Sequence, residues 1–412
     1  AGHLQSPSPG AGRQPEAGSH TDPRSRRTGA MSSPPSEASS TDGDRPAAAP
    51  DYVRLPERGD VPAPRFGHTM TLLNDQCVVL FGGAVGTGEG GHYTITADSY
   101  TLELPSNRWA RIRAQPDAPT ARAAHAAACV DEQQMVVFGG TTGGARLSPD
   151  DLHLLELDLG TEDPPIWVVV PVVGRRPPAR YGHSMVFKKP YLIVFGGSNG
   201  YSAMCDVWIF SIDGSPYQWD ELVVQNEYPP PRLYHSAELC PSGPTKGMIV
   251  IFGGRTNDQD VCLNDTWGLR QHANGRWSWV QAPLTDGVVP EPRFQHGCVF
   301  WGGKLVIVGG RGAAFEKPLP SAVYDTETCQ WYEMAARDSF RHAAWALGES
   351  LFCCGGFGHE DAVRPSLRLS SLSLGEAVSF AIGQKAVGEA EAMTEATTSP
   401  GATLGSAAAQ YL

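Results

Sequence analysis

The chain has 412 residues, including 47 glycines and 34 prolines, and carries a formal charge of −12 at pH 7. An acidic balance of that size excludes nucleic acid as the main partner, because neutralising phosphates needs a basic surface; it fits a soluble protein that prefers basic partners. No uninterrupted apolar span approaches the roughly 20 residues of a membrane helix, and the N-terminus has no apolar core of a secretory leader, so neither membrane insertion nor export is expected.

Residues 1–50 are rich in Ser, Pro, Gly and Ala, and their five arginines are cancelled by five acidic residues. Such composition buries too little apolar surface to offset the entropy of ordering, and predicts a disordered tail. Order is expected to begin at Asp51 to Leu55. From there one stretch organises everything: Val79-Leu80-Phe81-Gly82-Gly83, an apolar run ending in two glycines. It returns as Val137-Phe138-Gly139-Gly140, Val194-Phe195-Gly196-Gly197, Ile251-Phe252-Gly253-Gly254, Ile307-Val308-Gly309-Gly310 and Cys353-Cys354-Gly355-Gly356. The intervals are 57, 57, 57, 56 and 46 residues. A period near fifty is the mark of repeat architecture, and it removes the diglycines from consideration as a phosphate loop.

Each repeat carries two further marks. Upstream stand Arg65-Phe66-Gly67-His68, Arg122-Ala123-Ala124-His125, Arg180-Tyr181-Gly182-His183, Arg232-Leu233-Tyr234-His235 and Arg293-Phe294-Gln295-His296, with the sixth copy reduced to Arg341-His342. Downstream come Trp109, Trp167, Trp219, Trp279 and Trp331. Between these marks the β-rich runs predict four antiparallel strands per repeat: His68 to Leu73, Gln76 to Phe81 after the turn pair Asn74-Asp75, a third run at Ser99 to Leu104 and equivalents, and a fourth opened by the tryptophan. A four-stranded sheet apolar on both faces must stack on its neighbours, so the expected class is all-β, a six-bladed β-propeller over residues 51–374. No tryptophan follows the sixth diglycine, whereas Tyr52 lies 16 residues before His68, the interval that separates Trp109 from His125. The N-terminal strand is therefore expected to complete the last blade and remove open edges. Residues 375–412 are expected to be disordered or weakly helical, since Gly383 and Gly388 count against a stable helix.

Nine cysteines, several within apolar runs and none in a Cys-x-x-Cys pair, point to reduced thiols and a cytoplasmic or nuclear setting. The recurring histidines are expected to serve structure, since six equivalent positions on separate strands cannot converge on one ion. Arg65, Arg122, Arg180, Arg232 and Arg293 start the inner strands. They could form a ring at the channel mouth that grips carboxylates or phosphates, or pair with the blade aspartates at 98, 151, 206 and 265; the second use is favoured. Partner-binding residues are sought in loops the repeat leaves free: Arg146, Tyr201, Arg255, Asp258, Arg311 and Phe315, each soon after a diglycine.

The Arg-x-x-His, diglycine and tryptophan pattern resembles the kelch repeat, whose members fold as β-propellers and bind partner proteins through loops on one face. Segments such as Leu147-Ser148-Pro149-Asp150-Asp151-Leu152, Tyr181-Gly182-His183-Ser184-Met185 and Asn264-Asp265-Thr266-Trp267-Gly268-Leu269-Arg270 resemble the kelch domain of plant and apicomplexan Ser/Thr protein phosphatases that carry N-terminal kelch repeats. That resemblance implies a non-catalytic interaction and regulatory domain, with proteins or phosphoproteins as partners. In such proteins a metallophosphatase domain follows, holding two divalent metals through Gly-Asp-x-His, Gly-Asp-x-x-Asp-Arg-Gly and Gly-Asn-His-Glu. None of these is in the sequence, so no catalytic residue and no cofactor are expected here, and residues 375–412 are expected to lead toward the missing enzyme. A stand-alone scaffold or cytoskeletal adaptor, and a propeller enzyme with a loop-built active site, are the alternatives.

Overall fold

A computed structural model describes residues 49–86, 92–143, 146–149, 151–158, 164–224, 227–257, 261–283, 289–314 and 317–398. The expected disordered tail thus falls almost wholly outside the described residues, as do Asp258 and Phe315. The fold is almost entirely β-sheet in a propeller-like series of antiparallel sheets. Among the described residues the first sheet runs, inner to outer, Thr69–Asn74, Cys77–Phe81, Ser99–Glu103 and Arg108–Ile112, and it is extended by Arg58–Gly59, which pairs parallel to Arg108 and Trp109. The next four have the same order with four strands each, starting at Ala126–Asp131, Ser184–Lys188, Ser236–Leu239 and Gly297–Trp301. In the last, Ala343–Leu347, Ser350–Cys354 and Leu369–Ser373 are joined by Val53–Arg54, with Val53 opposite Ser371 and Arg54 opposite Ser370.

The second strand of each sheet explains why the sheets stack. Cys77–Phe81 is buried at every position. Val78 and Leu80 pack with Trp109, Trp345 and Cys354, whereas Val79 and Phe81 pack with Met135, Val137 and Trp167 of the following sheet. Successive side chains point to opposite faces, so one apolar run serves two interfaces. Burying each large apolar side chain is worth about 1.5–3 kcal/mol. The phenylalanine before each diglycine meets the tryptophan of the next sheet: Phe81 with Trp167 at 5.3 Å between ring centres, Phe138 with Trp219 at 5.4 Å, Phe195 with Trp279 at 5.0 Å and Phe252 with Trp331 at 5.3 Å. Where the run ends in Val308, Tyr52 joins the same apolar cluster, and where it ends in Cys354 the partner cluster holds Trp109. Cys353 and Cys354 fall into different clusters, one for each face of their strand, and all nine cysteines are free.

The strand Leu369–Ser373 runs directly into a helix, Leu374–Thr398. Its first turns place Leu374, Ala377, Val378 and Ala381 in one stripe against Leu351, Leu372 and Val306, the spacing of a single helical face. Lys385 extends the contact by donating to Gln330 Oε1 at 2.8 Å. Docking of this stripe supplies the stability that three glycines subtract from an isolated helix. No helix among the described residues is long and apolar enough to cross a membrane.

Candidate interaction face

The repeated motifs build a joint between neighbouring sheets. The second glycine of each diglycine donates its N–H to a carbonyl of the next repeat: Gly83 to Arg122, Gly140 to Arg180, Gly197 to Arg232, Gly254 to Arg293, Gly310 to Ser339 and Gly356 to Arg65, all at 2.8–3.0 Å. The first glycine has no room for a side chain. A Cβ on Gly82, at φ +66°, would lie 2.6 Å from the Arg122 carbonyl oxygen and 2.9 Å from the His125 ring, a conformation and an approach that only glycine tolerates.

The five motif arginines are fully buried. Each donates Nη1 to the first glycine's carbonyl of its own repeat, as from Arg65 to Gly82 at 3.0 Å, and Nε to the carbonyl two residues upstream, as from Arg180 to Pro178. Arg180 and Arg232 form two-pronged pairs with Asp206 and Asp265 at 2.7–2.9 Å, and Arg65 lies 3.7 Å from Asp98. Arg122 lacks the expected pair, because Asp151 bonds Arg176; Arg293 instead reaches the Pro320 carbonyl at 2.7 Å. These guanidinium groups are buried and held by carbonyls and carboxylates of the protein itself. Burial lowers the pKa of Arg122 and Arg293 to about 10, so both keep their charge at neutral pH.

All six motif histidines are buried as well. His125, His235 and His296 are hydrogen-bonded to a hydroxyl on the preceding inner strand, Thr69, Ser184 and Ser236, at 2.8–2.9 Å. At the places that would serve His68 and His183 stand Ala343 and Ala126, and neither ring nitrogen of these two has a hydrogen-bond partner. Burial, reinforced by the neighbouring arginines, pushes His68 and His183 down to about 3; burial, with Arg293, does the same for His296. The six rings are thus neutral.

The face itself is formed by the residue just before each histidine. Gly67, Ala124, Gly182, Tyr234, Gln295 and Arg341 all have positive φ, from 53° to 64°. Their amides are linked head to tail: Ala124 donates to Gly67, Gly182 to Ala124, Tyr234 to Gly182, Gln295 to Tyr234, Arg341 to Gln295 and Gly67 to Arg341, at 2.7–3.4 Å. On one half of this circle the side chain is hydrogen or methyl; on the other it is large and polar. A cavity of about 520 Å³ opens there, lined by Tyr93, Thr141, Tyr234, Gln295 and Arg341 among others, with no carboxylate among the lining residues described. Buried Arg341 Nε, Gln295 Nε2 and Gln295 Oε1 have no partner, an uncompensated arrangement that a ligand would complete.

Arg341 is not alone. Arg255 stacks on Phe294 at 5.5 Å, Arg311 on Phe294 at 4.7 Å and Phe340 at 5.3 Å, and Arg341 on Phe66 at 5.2 Å. Burial, together with the like charges of Arg341 and Arg255, lowers Arg311 to about 10. The three cations hold together on an aromatic collar that favours guanidinium faces. Of the loop residues expected from sequence, Arg255 and Arg311 are thus brought together. Arg146, exposed in a short hairpin strand, and Tyr201, 96% exposed, stand outside the cavity lining, as do Arg255 and Arg311. Sequence reasoning missed Tyr93, Tyr234, Gln295 and Arg341. It took Arg341 for the remnant of the motif arginine, whereas Ser339 holds that place, its hydroxyl 3.0 Å from His342 Nδ1, and Arg341 holds the variable third place. The signal was that third position, which changes character halfway round the repeats.

Among the described residues no group of three or more His, Cys, Asp or Glu could hold a metal ion. A repeated structural joint and a mouth with unsatisfied polar groups define a repeat-built β scaffold of the binding kind. A family model described as the KLHDC2/KLHL20/DRC7 Kelch-repeats domain matches residues 51–241 and 214–364, and the chain belongs to this kelch-repeat family. It is 36% identical over 321 residues, 68% of its length, to the serine/threonine-protein phosphatase BSL2 of Arabidopsis thaliana, of which it covers 30%. It is 30% identical over 280 residues to Adagio-like protein 3 of Oryza sativa subsp. japonica and 29% identical over 281 residues to Adagio protein 3 of Arabidopsis thaliana, covering 64% of the chain in each case and 40% and 41% of those proteins. The chain therefore spans well under half the length of these relatives.

Proposed function

We propose that residues 51–374 form one closed six-bladed propeller, completed by the N-terminal strand, that acts as the non-catalytic interaction and regulatory domain of a kelch-type Ser/Thr protein phosphatase. Two cyclic sets of six hydrogen bonds, at the diglycines and at the mouth, support the blade count and closure. Its partners are cytoplasmic or nuclear proteins that present an acidic or phosphorylated segment. The observation that carries the site is Arg341, lining a cavity with no carboxylate among its described lining residues, with Arg255 and Arg311 packed beside it on the aromatic collar in a chain of net charge −12. Guanidinium forks suit carboxylate and phosphate oxygens, and Gln295 offers a donor and an acceptor to a peptide backbone. The phosphatase link rests on the relationship to BSL2.

The test of the site is fluorescence anisotropy with a library of acidic and phosphorylated peptides. Binding is expected at the mouth, weakened roughly tenfold or more by Arg341→Ala, as for loss of a charged hydrogen bond. Peptides that bind Arg341→Ala and Arg255→Ala as tightly as the parent protein would remove the site. For the phosphatase link, dephosphorylation is expected to depend on a separate catalytic domain, and phosphate release by the purified 412-residue chain with manganese would contradict it.

A further inference from the structure

We propose that the opposite end of the inner strands binds a cationic head group on a short aliphatic stem, an ammonium of the alkylamine or lysine type, held by the carboxylate of Glu238. The six inner strands also enclose a second cavity, of about 380 Å³. Its walls include Met70, Leu72, Met185, Phe187 and Trp345, and among the described residues Glu238 is the only charged one lining it. Glu238 belongs to Ser236–Leu239, opposite Val250. The backbone of Leu239 is hydrogen-bonded to the Glu238 carboxyl, and among the described residues no cation acts on it.

The strands packed against Ser236–Leu239 are Ile249–Arg255, Ser184–Lys188 and Gly297–Trp301. Of their titratable groups, Cys298 lies close enough to feel the Glu238 charge and has its thiol pushed up; Lys188 and Arg255 are not among the charges that act on Glu238. Glu238 is half-buried; a carboxylate partly withdrawn from water without a countercharge is unfavourable, and burial pushes its carboxyl up to about 7. An ammonium in the cavity would supply the countercharge, and its methylenes would meet the methionine and phenylalanine walls. This site is independent of the arginines at the other mouth and does not rest on the peptide reading above.

The experiment is a thermal-shift and calorimetric titration of the full chain with n-butylammonium chloride against sodium chloride at equal ionic strength. The peptides acetyl-Gly-Lys-Gly-amide and its norleucine counterpart serve as further arms. At pH 8 butylammonium is expected to raise Tm above the sodium control, with affinity at least about tenfold weaker in Glu238→Gln. Glu238→Gln removes the charge at constant shape and should fold. Binding is also expected to weaken from pH 8 to pH 6 in the unaltered protein, which tests the carboxylate without any substitution. Binding of the lysine peptide but not the norleucine peptide assigns the site to a protein side chain; butylammonium alone assigns it to a free amine. No shift beyond sodium, or an equal shift in Glu238→Gln, overturns the proposal.

Discussion

Acidification should unfold this protein over a narrow range, because six buried histidines must stay neutral. His68, His183 and His296 are held at about 3, and His125, His235 and His342 well below the ordinary value. In the unfolded chain each titrates near 6.5. A base whose folded pKa is depressed favours the native state fully above the unfolded pKa, and that advantage falls as the pH drops below it. Between pH 7.5 and 5.5 each histidine removes roughly a factor of ten from the folding equilibrium, so six remove about 8 kcal/mol. Glu238 works the other way: its carboxyl, raised to about 7, takes up a proton in the native state first and returns about 2 kcal/mol over the same interval. The net loss of about 6 kcal/mol is comparable with the whole stability of many domains, about 5–15 kcal/mol. Urea unfolding followed by circular dichroism at pH 7.5, 6.5 and 5.5 measures it. A stability that falls by less than about 2 kcal/mol across this range, or resonances of these six imidazoles in the folded protein that titrate near 6.5, would refute the buried neutral ring.

Three further outcomes are expected. Gly82→Ala places a methyl group against the Arg122 carbonyl and the His125 ring and should cost about 1–3 kcal/mol, read from the urea midpoint. Asp265→Asn leaves the buried Arg232 guanidinium without its charged partner, and should cost roughly 2–3 kcal/mol, short of the full buried-pair loss because Asp265 keeps some contact with water. Tyr52→Ala removes a ring stacked under Arg337 at 4.3 Å and packed in the last sheet's cluster; a loss of roughly 2–3 kcal/mol is expected, against under about 0.5 kcal/mol for Val53→Ala at an exposed neighbour. Equal effects of the Tyr52 and Val53 substitutions on Tm would show that the strand contributes only backbone pairing.

The frame was legible because its parts interact through groups every copy must keep. Gly82 and its equivalents leave no space for a Cβ, and Phe81 needs Trp167 across the interface, so these residues recur and their period is visible. Strand positions followed within about two residues, as with Thr69–Asn74 for the expected His68 to Leu73. The mouth was not legible for the converse reason. Gly67, Ala124, Gly182, Tyr234, Gln295 and Arg341 share only a backbone conformation and an amide bond, which leaves their side chains unconstrained. The Leu374–Thr398 helix was legible only as a weak one, since its stability comes from Val306, Leu351 and Leu372 rather than from its own composition. The pairing of Arg58–Gly59 beside Trp109 had no sequence signal at all.

The circle of amides at the mouth has no first or last member: every N–H in it is used by one neighbour and every carbonyl by the other. A helix adds its peptide dipoles along an axis and leaves partial charge at each end. Here successive dipoles turn through a full revolution, so they sum to almost nothing. The backbone of the mouth is an electrically blank rim, and among the described residues that line the cavity Arg341 alone carries a standing charge. Replacing Arg341 by an acidic residue would invert the sign of the opening while every backbone hydrogen bond of the rim stayed in place.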